Sequence, residues 1–345
     1  MKSRTLRRAD ELVGAGLLPA HRRRDVERVA RRFAVALTPH VVEMIESGGT
    51  PIARQFLPSA KELRTAPEER ADPIGDDRFA PLKGIVHRYP DRVLLKPLLV
   101  CPVYCRFCFR REAVGKGGAL TAREFTAALN YIRRNPAIWE VIVTGGDPFL
   151  LSARRLKEIV RALDAIPHVQ VIRFHTRVPI VEPSRVTAAL VAALATEKAV
   201  YVAIHANHPR ELTAAARTAC TRLGKAGIPL LGQSVLLKGV NDDAATLEAL
   251  FRGLVAMRVK PYYLHHADLA RGTAHFRTTL SAGRELMRTL RGRVSGLCQP
   301  TYVVDLPGGH GKVPVGPCYA QARDDDSWSI EDSAGKRHRY PAATP

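Results

Sequence analysis

The sequence of 345 residues predicts an α/β fold: a partial (β/α)6-type, TIM-like barrel behind an N-terminal helical region. Three observations predict it. From Arg88 onward, apolar runs of strand length alternate with amphipathic helical segments about six times, a pattern that implies a parallel sheet. Polar and glycine-rich residues recur just after one strand after another, as they would at the C-terminal face of a barrel whose strands all point at one cavity. The first 85 residues instead mix short helical patterns with Pro51, Pro58, Pro67 and Pro73.

Taken in order, the helical region spans residues 1–85, the barrel 86–320 and an exposed, polar tail 321–345. The predicted strands are VLLKPLLV (93–100), VIVTGG from Val141, VQVIRFHT from Val169, AVYVAIH from Ala199, PLLGQSVLL from Pro229, PYYLHH from Pro261 and TYVVD from Thr301. Between the first two, Thr121 and Glu124 form a capping-box pattern ahead of Phe125, Leu129 and Ile132. Leu156, Ile159, Val160 and Leu163 mark the next helical face. An open doubly wound sheet fits the alternation equally well. The placement of chemistry favours the barrel: cysteines follow the first strand, Gly145, Gly146 and Asp147 the second, Arg177 the third, His205 and Asn207 the fourth. Gln233 and Ser234 lie late in the fifth, Asp268 follows the sixth and Asp305 to Lys312 end the last.

Composition narrows the classes of function. At 46% hydrophobic and 25% charged residues the chain is globular, and no apolar stretch reaches the 18 or more residues of a membrane span. The N-terminus shows no apolar signal core, so a cytoplasmic location is expected. Fifty-three Lys and Arg against 33 Asp and Glu give a net charge of +20, which suits nucleic acid, phosphate-bearing ligands or an acidic protein partner. Arg22, Arg23, Arg24, Arg28, Arg31 and Arg32 cluster near the N-terminus, where the plainer reading is a solvated helical surface.

Six cysteines in such a chain point to metal or redox chemistry. Cys101, Cys105 and Cys108 fall within eight residues, whereas Cys220, Cys298 and Cys318 stand alone. Three thiolates on one loop can hold three irons of a [4Fe-4S] cluster and leave the fourth iron open to a ligand. Zinc would favour closely spaced pairs and a nearby fourth ligand. A second constellation is Asp305-Leu-Pro-Gly-Gly-His-Gly-Lys312. It fails the phosphate-loop pattern, since Leu306 stands where the first glycine belongs and Val313 follows the lysine. A lysine on such a loop can instead form a Schiff base with pyridoxal phosphate (PLP).

The Cys-x3-Cys-x2-Cys motif at the end of a first barrel strand resembles the radical S-adenosylmethionine (SAM) superfamily. In that family the open iron binds SAM, and the reduced cluster cleaves it to a 5′-deoxyadenosyl radical. Gly145, Gly146 and Asp147 resemble the segment that meets the SAM amino group, and glycine suits a backbone approached closely by a ligand. The segments HRYPDRVLLK, CPVYCRFCFRR, NHPRELT, GQSVLLKGVND, KPYYLHHADL, HFRT and TYVVDLPGGHGK are together similar to the lysine 2,3-aminomutase family, from about Ile74 through Pro317.

That resemblance implies a PLP-dependent enzyme, an isomerase interconverting L-lysine and β-lysine. Lys312 would be the PLP-linked lysine, Arg88 and Arg92 contacts to PLP, and Arg110 the partner of the substrate carboxylate. His205, Asn207 and Gln233 would line the SAM side. Asp268 and Asp305 would hold the distal ammonium, because two carboxylates facing one cavity repel each other unless a cation sits between them. The resemblance also implies an external electron donor such as flavodoxin or ferredoxin and a homo-oligomer. The chain departs from the longer clostridial-type enzymes: His310 replaces a usual glycine, Asp243 stands where they place a zinc cysteine, and no cysteine-rich extension follows Cys318. Its length is closer to enzymes that make β-lysine for translation elongation factor P, which makes a link to that protein an expectation. The alternatives are a 2,3-aminomutase for another amino acid such as glutamate, a radical SAM RNA-modifying enzyme and a non-enzymatic metal-binding module.

Overall fold

The computed structural model describes residues 4–341. Nine strands form one sheet in sequence order: β1 (Ile85–Tyr89), β2 (Arg92–Leu98), β3 (Glu140–Gly145), β4 (Val171–Thr176), β5 (Ala199–His205), β6 (Leu230–Leu236), β7 (Val259–His266), β8 (Thr301–Leu306) and β9 (Gly311–Pro314). From β2 to β8 every neighbour is parallel, and β1 and β9 close the two edges antiparallel. The parallel strands are those the alternation predicts. The two edge strands are not, because IVHRY and GKVP are too short and too polar to stand out from loops.

The crossovers carry α5 (Ala122–Arg133), α6 (Ala153–Asp164), the short α7 (Val178–Val181) and α8 (Ala188–Ala192), α9 (Ala214–Lys225), α10 (Ala244–Ala256) and α11 (Leu280–Arg291). Local sequence sets their starts. Thr121 and Glu124 form the expected capping box on α5, and Ser152, Thr213, Asp243 and Thr279 each accept a backbone N–H at the head of a helix. Asp243 therefore acts here as a helix cap.

Strand register divides the sheet into two faces. Val93, Leu95, Val141, Val143, Ile172, Phe174, Val202 and Ile204 are almost fully buried and turn outward onto the helices. Their neighbours turn inward, and in-register pairs such as Ile142 with Arg173, His205 with Gln233, Gln233 with Tyr263 and Asp305 with Lys312 extend one polar face around the sheet. Most inward residues are only half-buried, so the lumen is open.

Ahead of the barrel lie α1 (Ala9–Gly14), α2 (Arg23–Arg32), α3 (Pro39–Gly48) and α4 (Thr50–Phe56). Leu12, Val26, Val41, Ile45, Ile52 and Phe56 belong to the same apolar cluster as the barrel strands, so the helical region has no separate core. Val26 and Val29 are the buried stripe of α2, and its arginines lie on the remaining, largely exposed faces.

The segment expected as an exposed tail is largely exposed, and it carries regular structure. Strands β10 (Ala320–Ala322), β11 (Trp328–Glu331) and β12 (Arg337–Tyr340) form an antiparallel meander. It is tied to α11 by an ion pair between Arg288 and the buried Glu331 and by Arg291 stacked 3.6 Å from the Tyr319 ring. Strands of three or four residues among Asp, Ser and Lys carry too little periodicity to be read from sequence. Residues 342–345 of that expected tail, and 1–3 of the helical region, lie outside the described residues.

Candidate active site

The cysteine loop follows β2, and two strand-end residues fix its position. Gly146 donates to the Leu98 carbonyl at 2.8 Å and Asp147 to that of Val100 at 3.0 Å. A Cβ on Gly146 would lie 2.2 Å from the Val100 carbonyl oxygen, and one on Gly145, at φ +109°, would lie 2.6 Å from that of Leu98. Glycine is needed here by the chain's own backbone just before Cys101, not only by an approaching ligand. Asp147 is likewise committed internally. Its buried carboxylate accepts from the Thr176 hydroxyl at 2.6 Å and from the backbone N–H groups of Phe149, Arg177 and Val178 at 3.0, 2.7 and 3.1 Å. It bolts the end of β4 to the end of β3.

Cys101 and Cys108 pack against Ala36, Tyr104 and Val114. Burial, with Asp147 and the other thiols nearby, pushes the Cys101 thiol well up; burial and Cys105 push Cys108 up to about 11. Thiols raised in this way, Cys101 and Cys108 here, become thiolates only when positive charge neutralises them, which a cluster of irons would do. Among the described residues no three His, Cys, Asp or Glu side chains gather around one point to hold a single metal ion. A cubane cluster asks instead for thiolates spread over separate irons. Cys220 and Cys298 are buried elsewhere, and the exposed Cys318 donates to the Ala320 carbonyl.

The end of β5 meets this loop. His205 stacks on Phe107, 5.5 Å between ring centres, and burial together with the Arg177 charge pushes its pKa well down, leaving a neutral imidazole. Gln233 lies beside it in register on the inner face. Asn207 is wholly buried and used by the scaffold: its amide donates to Gln55 and its carbonyl oxygen accepts from Val235.

Across the lumen, Lys312 on β9 pairs with Asp305 on β8 and lies 3.3 Å from His265 Nδ1. Its backbone N–H donates to the Tyr89 hydroxyl at 2.8 Å, so the last and first strands of the nine-stranded sheet meet across its open seam at this bond. Burial raises the Asp305 pKa, but the His265 hydrogen bond and the Lys312 charge outweigh it and hold the carboxyl well below its usual range. Burial and the Asp305 charge push Asp268 up to about 7, against the pull of Lys312 and Arg110. The structure therefore brings Lys312, Asp305, Asp268 and Arg110 within electrostatic reach of one another.

Arg110 and Arg88 are held by one carboxylate. Asp76 accepts from Arg110 at 2.9–3.0 Å and from Arg88 at 3.1 Å. Arg92 stands apart from them, on Asp91 and 3.8 Å over the Tyr89 ring. The buried Nε of Arg88 and Nε2 of His175 and of His205 have no partner among the described residues. The lumen thus offers polar atoms that a bound ligand would satisfy.

Sequence reasoning missed Asp76, Tyr89, Arg173, His175, Tyr263 and His265. The alternate polar residues within VQVIRFHT and PYYLHH were the available signal, since buried strands of a parallel sheet are otherwise near-continuously apolar. Asp76 sits in a loop and offered none.

A radical SAM superfamily model matches residues 95–250, and a lysine-2,3-aminomutase model matches residues 287–341, which include the C-terminal meander. The chain is 41% identical over 313 residues to the L-lysine 2,3-aminomutase of Acetoanaerobium sticklandii, covering 90% of this chain and 76% of that protein. It is 40% identical over 313 residues to that of Clostridium subterminale, covering 90% and 75%. Against the glutamate 2,3-aminomutase of Clostridioides difficile it is 36% identical over 314 residues, covering 90% and 74%.

Proposed function

This chain belongs to the lysine 2,3-aminomutase family of radical SAM isomerases, and from that premise we propose that it interconverts L-lysine and β-lysine with PLP as a second cofactor. Cys101, Cys105 and Cys108 hold the [4Fe-4S] cluster, and Gly145, Gly146, His205 and Gln233 border SAM, with Asp147 and Asn207 fixing that border from behind. Lys312 anchors PLP, and Arg88 and Arg92 supply its positive surroundings. When bound, the cluster with SAM would supply hydrogen-atom transfer chemistry, and PLP would supply a ring able to delocalise an unpaired spin beside the substrate nitrogen.

The chain's own residues bind, orient and screen. Arg110 takes the substrate carboxylate, giving up part of its bond with Asp76. Asp268 and Asp305 take the distal ammonium. The observation that carries the reading is the acid pair beside Lys312: Asp305 balances the Lys312 ammonium, and Asp268, near neutrality in its protonation, is ready to ionise when a second cation arrives. A glutamate side chain at the same place would meet two carboxylates, which disfavours the glutamate reading despite the relative named for it. We propose flavodoxin or ferredoxin as the electron supply and a homo-oligomer as the working form; the β-lysine product fits modification of elongation factor P, an osmolyte role and catabolism alike. No helix among the described residues is long and apolar enough to cross a membrane.

The test is anaerobic protein loaded with SAM and PLP and offered lysine or glutamate, with the products separated by chromatography. β-Lysine from lysine and no β-glutamate supports the assignment; the reverse rejects it. Borohydride reduction of the PLP-loaded protein should label Lys312 alone, and Lys312→Ala should remove the label. A label elsewhere rejects the role of Lys312.

A further inference from the structure

Arg177 follows β4 and is almost fully buried, yet its guanidinium faces a cysteine. Nη1 donates to Cys105 Sγ at 2.7 Å, while Nη2 donates to Gln55 Oε1 at 2.6 Å and to Glu211 Oε2 at 2.8 Å. The ring of Phe56 lies 4.6 Å from the guanidinium carbon and that of Phe107 5.4 Å. The buried Nε has no partner among the described residues.

The anchors of Arg177 are themselves anchored. Glu211, wholly buried, also accepts from Gln55 Nε2 at 2.9 Å and from the Asn207 backbone at 3.0 Å, and Gln55 Oε1 accepts from the Asn207 amide at 3.1 Å. Gln55 is on α4, Asn207 follows β5 and the Arg177 backbone is bolted to Asp147. Four separate parts of the chain thus fix one cation against one cysteine. A structural ion pair alone would need Arg177 and Glu211; it would not need the remaining donor to end on a thiol.

Reducing the cluster adds an electron to a set of sulfurs that already carries negative charge. A fixed N–H donor and full positive charge at one ligand sulfur stabilise the reduced form, and in a site shielded from water that effect is large. The neutralising carboxylate lies on the far side of the same guanidinium and acts in the opposite sense. We propose that Arg177, held by Glu211, Gln55 and Asn207, is a positioning residue that orients Cys105 and raises the reduction potential of the cluster, with Glu211 limiting the rise. The proposal rests on the reading of Cys101, Cys105 and Cys108 as cluster ligands.

The experiment is an anaerobic redox titration, followed by EPR, of reconstituted full-length protein: wild type, Arg177→Lys, Arg177→Gln and Glu211→Gln, each with its iron content. With about four irons per chain, Arg177→Gln should show at least a tenfold lower ratio of reduced to oxidised cluster at a fixed potential, equivalent to about 59 mV for a one-electron couple. Arg177→Lys should fall between it and wild type. Glu211→Gln should shift the ratio the other way. Equal ratios in loaded wild type and Arg177→Gln, or shifts of the same sign in Arg177→Gln and Glu211→Gln, overturn the proposal. If Arg177→Gln holds no iron, Arg177→Lys and Glu211→Gln decide it by the same signs. Failure of wild type to hold iron is a different result: it rejects the cluster reading beneath the proposal.

Discussion

Asp268 and Asp305 sit in one recess and are perturbed in opposite directions. Asp305 is ionised because Lys312 and His265 face it; Asp268 meets the Asp305 charge and burial with no hydrogen bond to its carboxyl among the described residues, and rises to about 7. The folded pKa of Asp268 thus lies above its unfolded value, so its contribution to stability is complete below about pH 4 and is lost as pH rises through 7. In cofactor-free protein, urea midpoints measured from pH 4 to 7.5 should fall less steeply for Asp268→Asn than for wild type. With cofactors loaded, Asp268→Asn or Asp305→Asn should cost about 2 to 5 kcal/mol in kcat/KM for lysine. Norleucine, which lacks the ammonium, should be a poor substrate for wild type and lose less in either variant. Equal use of lysine and norleucine by wild type would reject recognition by this pair. The two acids and Lys312 were legible one by one in the sequence; that Asp268 is the protonated member was not, because its pKa depends on distances set by two different strands.

The ends of β2, β3 and β4 act as a unit that presents the cysteine loop. Its lock is backbone on backbone: Gly146 and Asp147 hydrogen-bond to Leu98 and Val100, and Asp147 then holds Thr176, Arg177 and Val178. Gly146→Ala would set a Cβ 2.2 Å from the Val100 carbonyl oxygen, and neither partner is a flexible side chain that can step aside. Iron content after reconstitution should drop to a minor fraction of wild type, with a clear fall in melting temperature. Gly224→Ala is the control. It lies in α9 with no atom within 4 Å of an added Cβ, so melting should stay level or rise, by about 0.5 to 1 kcal/mol in stability. Iron retained in full by Gly146→Ala would show that the loop does not depend on this close approach. The glycine pair was visible as a motif, but its reason was visible only once β2 and β3 lay side by side.

On the scale of the molecule, the N-terminal helices and the barrel share one apolar core, and α4 also supplies Gln55 and Phe56 to the guanidinium behind Cys105. The two regions should therefore open together. Amide hydrogen exchange is expected to give α3 and α4 protection comparable to β4 and β5, whereas the meander of β10 to β12, held largely at its edge by Arg288, Arg291 and Glu331, should exchange sooner. Early exchange of α3 and α4 with the barrel still protected would mark the helical region as a separate unit. The basic charge concentrated on α2 does not bear on this core, since the exposed arginines surround a narrow buried stripe of Val26 and Val29.

What the sequence determined by itself is local or periodic. Strand-length apolar runs, a capping box at Thr121, three cysteines within eight residues and a lysine ending a glycine-rich loop are each written in neighbouring positions, so helices, parallel strands and the two candidate centres could be read directly. The tertiary structure decided whatever depends on residues far apart in the chain: Asp76 between Arg88 and Arg110, Tyr89 meeting Lys312 across the seam, and Gln55 and Glu211 holding Arg177 to Cys105. The edge strands and the meander belong with these. Hydrogen bonding, charge and desolvation act over a few ångströms in space, and only the curved sheet brings positions more than 200 residues apart, such as Tyr89 and Lys312, within that range.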